Sequence, residues 1–264
     1  MQQTHNSNFY SSPLVTIITV VYNGQDYIQH AIESVLKQTY GKIEYIIIDG
    51  GSTDFTVDKI RYYEKAITFW VSESDRGIYD AMNKGISFAN GDIIGILNSD
   101  DWYEHDAVES IIEAYCNNPD SEIFHGKLNV FSESGGLVQT KAHRNFPIIR
   151  LLSTPFKHPT CFVKSDLYNE IGAYNISYRV AADYDFMLRA IKNCTKSTFV
   201  NRPITNLRQV GVSTGDPGVS AQNEILDIIS NYTSNYKVAN LSLKFRQALK
   251  AIKQTRNRSL SHGS

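Results

Sequence analysis

The sequence predicts an α/β fold: a mainly parallel, twisted sheet with helices on both faces, followed by further helices at the C-terminus. Between residues 14 and 118, four apolar, β-branched runs alternate with amphipathic segments, and the connections are short. This alternation is typical of parallel strands joined by crossover helices. The strand ends "YNG", "DGGSTD", "SESDRG" and "NSDDW" are all polar. Because such sheets bind ligands at the carboxyl ends of their strands, we expect a site there.

The first element is a strand in "LVTIITVVYN", whose unbroken apolar run predicts burial on both faces. "DYIQHAIESVLKQ" follows, with apolar residues at the i, i+3, i+4 and i+7 spacing of one helical face. We predict further strands in "IEYIIIDG", "AITFWVSE" and "DIIGILNS". The remaining helices of this part lie in "TDFTVDKIRYYEK", which Thr53 or Asp54 opens, in "IYDAMNKGISFAN" and in "DAVESIIEAYCNN".

The alternation weakens after about residue 120. "EIFHGKLNVF" and "GLVQTKA" predict a hairpin, "TCFVKSDLYNEIG" a strand and a short helix, "ADYDFMLRAIKNC" a helix, and "STFVNRPITNLRQV" one or two edge strands. We therefore expect a disordered lead-in at 1–13, one domain at 14–212 and C-terminal helices at 213–264. The domain divides into the alternating half, 14–118, and the second half, 119–212.

Composition and missing motifs narrow the class of protein. With 264 residues, 42% of them hydrophobic, and a net charge of −1, the chain can form one large α/β domain. Its N-terminus, "MQQTHNSNFYSSP", lacks the apolar core of a secretory signal, so we expect a cytoplasmic protein. No G-x-G-x-x-G follows the first strand, and neither G-x-x-x-x-G-K-[ST] nor G-x-S-x-G occurs. This argues against dinucleotide-binding enzymes, P-loop NTPases and α/β-hydrolases.

Four segments in order carry a resemblance to a known family: "VTIITVVYNGQDYIQHAIESVLKQTY", "YIIIDGGSTDFT", "SDRGIYDAMNKGISFANGDIIGILNSDDW" and "AADYDFMLR". Over roughly residues 14–210 the chain resembles the family 2 glycosyltransferases with a GT-A fold. The resemblance implies transfer of a sugar from a nucleotide-diphosphate donor, most commonly a UDP-sugar, to an acceptor hydroxyl, with inversion at the anomeric carbon. It assigns the nucleotide sugar to residues 14–118, and the acceptor and catalytic base to residues 119–212.

The fourth strand ends in Asn98, Ser99 and Asp100, at the position of the family's D-x-D motif. Asp100 matches the last acid of that motif and is the candidate ligand for Mn²⁺ or Mg²⁺. These cations prefer a few carboxylate oxygens together with the phosphates of a nucleotide. Asn98 replaces the first acid: it can coordinate through its carbonyl oxygen or bind ribose, but it supplies no charge. A turn with an Asx cap is the alternative interpretation.

The resemblance also assigns residues to the rest of the donor. Asp49 would accept a hydrogen bond from the base or the ribose, and a structural role in a glycine turn is the alternative. Arg76 can pair with a phosphate through its forked guanidinium, and Asp75 can hold that arginine or contact the base. For these two residues a solvated surface pair is the alternative. The base pocket would be lined by Thr19, Val21 and Tyr22, with Tyr22 able to stack on the base, although all three also suit an ordinary core strand.

In "AADYDFMLR", Asp183 aligns with the catalytic base of the family, which must reach the attacking hydroxyl. Ala182 stands where the family usually has a second acid. Asp185 has Arg189 at i+4, a spacing that favours an ion pair, so we interpret Asp185 as the more structural acid. The implied mechanism is a single displacement in which Asp183 deprotonates the acceptor.

Other candidates for the acceptor or sugar pocket are Asp101, Trp102, Tyr103 and His158. The two aromatic rings can stack on a sugar face or belong to the core. His158 lies in "FKHPT", where the family often places a histidine near the diphosphate or the acceptor. A core histidine is the alternative.

From Lys237 to Arg258 the chain has seven basic residues and no acidic one, with apolar residues on one helical face. A basic amphipathic helix of this kind can lie on an anionic membrane, as would suit a lipid-linked acceptor at the inner face of the cell membrane. Packing of this helix on the domain is the alternative. We expect no nucleic-acid partner, because the segment lacks interleaved aromatic residues.

The hypothesis is therefore an inverting, metal-dependent glycosyltransferase, and the resemblance alone implies bacterial surface-polysaccharide assembly, such as that of O-antigen, capsule or exopolysaccharide. A sugar-nucleotide nucleotidyltransferase is one alternative, although "VVYNGQDY" lacks the glycine-rich signature expected after the first strand. A non-catalytic sugar-nucleotide-binding protein is the other, and the presence of Asp100 and Asp183 argues against it.

Overall fold

The computed structural model describes residues 12–142, 156–193, 195–209 and 219–233, together with Leu241 and Lys244. Its strands are β1 (Val15–Val21), β2 (Ile43–Asp49), β3 (Phe69–Ser72), β4 (Ile93–Asn98), β5 (Trp102–Tyr103), β6 (Ile123–Phe131), β7 (Leu137–Lys141), β8 (Phe162–Lys164) and β9 (Ser197–Arg208). Its α-helices are α1 (Ile28–Leu36), α2 (Thr56–Tyr62), α3 (Ile78–Phe88), α4 (Ala107–Asn117), α5 (Ser165–Ile171), α6 (Ala182–Lys192) and α7 (Val219–Thr233).

The described strands form one mixed sheet in the order β3-β2-β1-β4-β8-β6-β9-β5, with β7 paired to β6. The first four strands are parallel to one another, which confirms the prediction for the alternating half. Beyond β4 the directions are mixed: β8 runs antiparallel to both of its neighbours, and β9 runs parallel to β6. The sheet is thus parallel over β1 to β4, in the half that is expected to bind the nucleotide, and mixed in the other half.

The strand β9 corrects one prediction. It was expected at an edge, but it lies between β6 and β5. Its residues Ile204, Thr205 and Asn206 are buried, because β5 and α4 cover this end of the strand. The predicted hairpin is confirmed, since β6 and β7 pair antiparallel.

Helices cover both faces of the sheet. All seven residues of β1 are buried, and they alternate between two hydrophobic clusters. Ile17 lies in the cluster that receives α1, α2 and α4, whereas Ile18 lies in the cluster that receives α3, α5, α6 and α7. The unbroken apolar run of β1 therefore reflects burial on both sides, as predicted.

The last described helix, α7, packs on the domain, because its Ile228 and Ile229 lie in the same hydrophobic cluster as residues of α6. Of the basic segment 237–258 only Leu241 and Lys244 are described, both helical and exposed, and residues 1–11 also lie outside the described part. Within the residues that the structure covers, no helix is both long enough and apolar enough to span a bilayer.

Candidate active site

The loops that follow β1 and β2 are joined by hydrogen bonds at the carboxyl edge of the sheet. The amide of Asn23 donates to the Ser52 hydroxyl (2.7 Å), and the amide of Thr53 donates back to the Asn23 side-chain oxygen (2.9 Å). Asp54 accepts from the amide of Thr56 (3.0 Å) and from the chain after β1. The helix α2 begins at Thr56, two residues after Asp54, whose carboxylate accepts from the amide of that first helical residue. The two loops form one surface.

Asp49 shapes the turn after β2. Its side chain is fully buried and accepts from the amides of Gly51 (3.2 Å) and Ser52 (2.9 Å) and from the hydroxyls of Ser52 (2.5 Å) and Ser72 (2.6 Å). Both carboxylate oxygens are thus already hydrogen-bonded. The predicted contact of Asp49 with a base or ribose would have to replace one of these donors.

Asp75 lies directly above this turn. A Cβ atom built on Gly50 would stand 2.5 Å from Asp75 Oδ2, so only glycine lets the carboxylate approach. The amide of Gly50 donates to the carbonyl of Val21 (2.9 Å), which brings the neighbouring Tyr22 to the same place. Tyr22 is 64% exposed. An exposed aromatic ring and a carboxylate therefore flank one glycine turn, an arrangement that suits a nucleobase.

Of the two roles given to Asp75, the pairing with Arg76 does not occur. Arg76 Nη2 lies 2.9 Å from Asp80 Oδ1 in an exposed i,i+4 pair, and Asp75 accepts instead from the amide of Gly77 (2.8 Å). The helical spacing at the start of α3 decides the partner, because it brings Asp80 back over the loop. No described contact ties Arg76 to the turn of Asp49.

Three predicted pocket residues lie in the core. Thr19 is fully buried and its hydroxyl bonds to that of Tyr45 (3.0 Å), while Val21 is 5% exposed. Tyr103 is 3% exposed and packs on Phe162, with ring centroids 5.4 Å apart. Because strand side chains point to one or the other face of the sheet, these three lie under the helices that cover it, and we remove them from the site.

Asp100 and Asp101 follow β4 in a tight turn, in which the Asp101 amide donates to the carbonyl of Asn98 (3.1 Å). Burial raises the pKa of both carboxyls, and the charge of Asp100 raises the pKa of Asp101 further. Two adjacent, poorly hydrated acids fit a divalent cation, which would relieve their repulsion. Within the described ranges, no group of three or more histidines, cysteines or acids could hold a metal by itself. The set suits a cation that takes its other ligands from phosphates.

Arg208, at the end of β9, is a site residue that the sequence did not reveal. Its amide donates to Asp101 Oδ1 (3.2 Å), and its charge opposes the rise in the pKa of both acids. The pairing of Trp102 with Asn206 puts Arg208 beside the turn of Asp100. Arg208 lies beside Asp101 only because β5 and β9 pair across more than 100 residues of sequence, and no local pattern in "NLRQV" indicates this contact.

The guanidinium of Arg208 is held by rings. It lies 5.0 Å from the ring centres of Tyr27 and Trp102, and Nη2 donates to His30 Nδ1 (3.3 Å). Its Nε is buried, and among the described residues it has no hydrogen-bond partner. Trp102 also stacks on His30 at 4.6 Å. These contacts give Trp102 the task of holding the guanidinium of Arg208 in place beside the turn of Asp100.

Asp183 lies in the first turn of α6 and its Oδ1 accepts from the Tyr79 hydroxyl (3.2 Å) and the Tyr184 amide (2.8 Å). Tyr79 belongs to the first turn of α3, which starts directly after the loop that follows β3. Asp183 is therefore held at the same edge of the sheet as Asp100. Burial and the charge of Asp183 raise the pKa of Tyr79, so its hydroxyl stays protonated and donates.

Two further predicted residues lie near Asp183. The Nε2 of His158 is 2.8 Å from the Tyr174 hydroxyl, and burial lowers the pKa of His158 while the charge of Asp183 opposes that change. Asp185 pairs with Arg189 (2.9 Å), as expected. Arg189 also donates to the carbonyls of residues 171–173, so Asp185 orients the guanidinium that secures the loop before α6.

Comparisons with known proteins give the family of the chain. The profile of Glycosyl transferase family 2 matches residues 16–176. An uncharacterized glycosyltransferase of Mycobacterium tuberculosis is 36% identical over 193 residues, which cover 71% of this chain and 72% of the relative. A PGL/p-HBAD biosynthesis glycosyltransferase of Mycobacterium bovis is 32% identical over 196 residues, which cover 69% of this chain and 72% of the relative.

Two solved structures share the fold. Staphylococcus aureus TarS (residues 1–349), in complex with UDP-GlcNAc, superposes with a TM-score of 0.65 at 19% identity, over 87% of this chain and 70% of TarS. A mannosyltransferase of Pyrobaculum calidifontis, in complex with GDP-Man and Mn²⁺, gives a TM-score of 0.62 at 16% identity, over 92% of this chain and 76% of that one. The chain belongs to glycosyl transferase family 2 and is a glycosyltransferase with the GT-A fold.

Proposed function

We propose that the protein is an inverting glycosyltransferase that moves a sugar from a nucleoside-diphosphate donor, with UDP-sugars as the first choice, to an acceptor hydroxyl. One observation carries the proposal: Tyr79 holds Asp183 at the sheet edge where Arg208 contacts Asp101 in the turn of Asp100. A base and a charged diphosphate site at one edge are the two parts that such a transfer needs. The complexes of the two structural neighbours with UDP-GlcNAc and GDP-Man support the donor class.

In this proposal the donor spans the strand ends from β2 to β4. Tyr22 stacks on the base, Asp75 accepts from the base or the ribose, and Ser99 and Asn98 face the sugar-phosphate part. Asp100 and Arg208 receive the diphosphate, Asp100 through a bound Mn²⁺ or Mg²⁺. When bound, that cation neutralises charge on the departing diphosphate.

Asp183 supplies the base. Both of its described hydrogen bonds use Oδ1, which leaves Oδ2 for the proton of the acceptor hydroxyl. The acceptor oxygen forms a bond to the anomeric carbon while the bond from that carbon to the diphosphate oxygen breaks on the opposite face. The proton passes to Asp183, the electron pair leaves with the diphosphate, and the anomeric configuration inverts. The neutral His158 beside Asp183 lines the acceptor side.

The acceptor is proposed to be a lipid-linked glycan of a surface polysaccharide. The PGL/p-HBAD biosynthesis relative and the basic segment 237–258 support this choice. That segment would bind the anionic inner face of the cell membrane. Co-sedimentation with phosphatidylglycerol vesicles, but not with phosphatidylcholine vesicles, checks this, and glutamine at Lys250, Lys253, Arg256 and Arg258 should abolish it. A wild-type chain that sediments with neither vesicle contradicts the membrane contact.

The catalytic role of Asp183 is tested with the donor itself. We first screen nucleotide sugars by thermal shift with and without Mn²⁺, and then measure nucleoside-diphosphate release from the tightest binder. Asp183→Asn should lower the turnover about 100-fold or more, because a general base contributes on that order, and should leave donor affinity unchanged. Equal turnover in wild type and variant would refute the proposal, and so would the absence of any metal-dependent stabilisation. No nucleoside-diphosphate release by the wild-type protein would favour a non-catalytic binding protein.

Arg208 is tested by binding. Arg208→Ala should weaken the affinity for UDP by about 10-fold to 100-fold, the range of a hydrogen bond to a charged group in a partly buried site. Arg208→Lys should recover part of this, since it restores the charge without the fork. Isothermal titration calorimetry gives the affinities. Arg202→Ala is the matched control, because Arg202 lies on the same strand but pairs with Asp106 on the surface.

A further inference from the structure

The carboxylate of Glu224, on α7, binds the backbone directly before α6. Its Oε1 accepts from the amide of Arg179 (2.9 Å), and its Oε2 accepts from the amides of Val180 (2.9 Å) and Ala181 (3.0 Å). Ala181 is the N-cap of α6 and offers no side-chain cap. A residue 43 positions later in the chain therefore takes over the hydrogen bonding of this helix start, where negative charge is favourable.

The peptide unit between Val180 and Ala181 is bound at both of its ends. Its N–H donates to Glu224, and its carbonyl, that of Val180, accepts from the Tyr79 hydroxyl (2.9 Å). The same hydroxyl has a single proton and lies 3.2 Å from Asp183 Oδ1, so the carbonyl of Val180 and the carboxylate of Asp183 share this one donor. Because a peptide unit is planar, fixing its N–H also fixes the direction of its carbonyl. Glu224 thus orients the group that orients Tyr79, and Tyr79 contacts the base.

The helix that carries Glu224 is firmly anchored. Asp227, one turn later, accepts from the Tyr178 hydroxyl (2.6 Å), and Ile228 and Ile229 are buried in the cluster that includes Tyr79 and Ala182. Tyr178 belongs to the same loop, but its contact with Asp227 touches none of the three amides. Asp227 therefore supports the docking of α7 without holding the peptide of Val180.

The geometry points to Glu224 as a positioning residue for the catalytic base. It acts through the peptide of Val180 and the hydroxyl of Tyr79 and does not touch the substrate. This inference rests on the proposed function, because Asp183 must be the base. Small displacements of a base reduce turnover strongly, since the reacting atoms must meet in one geometry. The α7 helix, outside the region that the family profile matches, thereby becomes part of the catalytic apparatus.

The test separates kcat from KM. With the donor selected above, Glu224→Ala should lower kcat for nucleoside-diphosphate release by about 10-fold to 100-fold. The KM for the donor should stay within about twofold, because the residues proposed to bind the donor lie at the strand ends and not on α7. Glu224→Gln should restore part of kcat, since its amide oxygen still accepts from Val180 and Ala181. Glu224→Gln also keeps the side-chain volume, so it reports on the contact should the alanine variant fail to fold.

Two variants on the same helix are the controls. Asn223→Ala removes an exposed neighbour and should keep the wild-type kcat. Asp227→Asn weakens the docking of α7 and should lower Tm while leaving kcat within about twofold at temperatures below the transition. Amide hydrogen exchange at Val180 and Ala181 should accelerate in Glu224→Ala and stay at the wild-type rate in Asn223→Ala.

Several results would overturn the inference. They are a wild-type kcat in Glu224→Ala, an equal loss of kcat in Asp227→Asn, a rise in donor KM that accounts for the loss, or unchanged exchange at Val180 and Ala181. Asp183→Asn, measured in parallel, separates this failure from that of the proposed function. If Asp183→Asn is inactive and Glu224→Ala is not, only the positioning role is wrong. If Asp183→Asn is fully active, the base assignment itself is wrong.

Discussion

At the strand ends, burial changes the pKa values of single side chains more than ion pairs do. His158 is an example, because burial lowers its pKa even though the nearby Asp183 opposes the change. Arg208 shows the same principle with the opposite outcome: aromatic rings hold a permanent cation next to two carboxyls whose pKa values burial has raised. In both residues, packing against neighbouring side chains holds a polar group in place, and this lowers the stability of the fold.

The titration of His158 predicts a loss of stability in mild acid. Its pKa is below 6.5 in the folded state and near 6.5 in the unfolded chain, so the unfolded state takes up the proton first. The contribution of the neutral ring is complete above about pH 6.5 and is lost as the pH falls through the folded pKa. His158→Gln, which can still bond Tyr174, should flatten the decrease of Tm between pH 7 and pH 5. An identical slope in both proteins would exclude His158 as the cause.

At the scale of elements, the site depends on how α6 is held. Two elements secure its N-terminal end, α3 through Tyr79 and α7 through Glu224, and Arg189 in its last turn donates to the loop after α5. Asp183 and Asp185 are two residues apart on this helix, yet one contacts Tyr79 and the other orients Arg189. The helical turn of 100° per residue separates their tasks.

These tasks predict opposite effects of two isosteric substitutions. Asp185→Asn should lower the free energy of unfolding by about 1–3 kcal/mol, because it unbalances a half-buried guanidinium, and should preserve kcat within a few-fold. Asp183→Asn should lower kcat and leave the free energy of unfolding nearly unchanged. Thermal denaturation and donor turnover measure the two effects. Asp120→Asn, which removes an exposed pair with Lys196, is the control and should change neither. A variant Asp185→Asn of full stability would contradict the role given to Arg189.

At the scale of the molecule, one antiparallel junction connects the parallel half of the sheet to the mixed half. There β4 pairs with β8, and Gly95 faces Phe162. A Cβ atom on Gly95 would stand 2.6 Å from Phe162 Cε1, so the glycine lets the aromatic ring lie against the strand. The ring also contacts Tyr103 and thereby closes the core beneath the turn of Asp100.

Gly95→Ala should therefore lower the free energy of unfolding by about 1–3 kcal/mol, the usual cost of overpacking a closed core. Urea denaturation measures the change. Gly41→Ala is the control, since a Cβ atom there meets nothing within 4 Å, and its effect should stay within about 0.5 kcal/mol. If both variants are equally stable, the junction is looser than the contact implies.

Many elements of the fold could be predicted from the sequence. The strand and helix periods, the hairpin, the helix that carries Asp183 and the polar strand ends were all visible in windows of about ten residues. Local hydrogen bonding and side-chain periodicity determine such elements, so a short stretch contains the information. The family resemblance then directed attention to Asp100 and Asp183, whose chemistry local patterns alone could not distinguish from caps and turns.

The sequence by itself thus determined the elements, the class of fold and the acids at the strand ends. Only the tertiary structure decided which elements meet: β9 inside the sheet, Arg208 beside Asp100, Arg76 on Asp80, and Glu224 on the peptide before the base. It also decided that Thr19 and Tyr103 face the core. The physical reason is that partners distant in sequence are chosen by packing of the whole chain, and no local period records that choice.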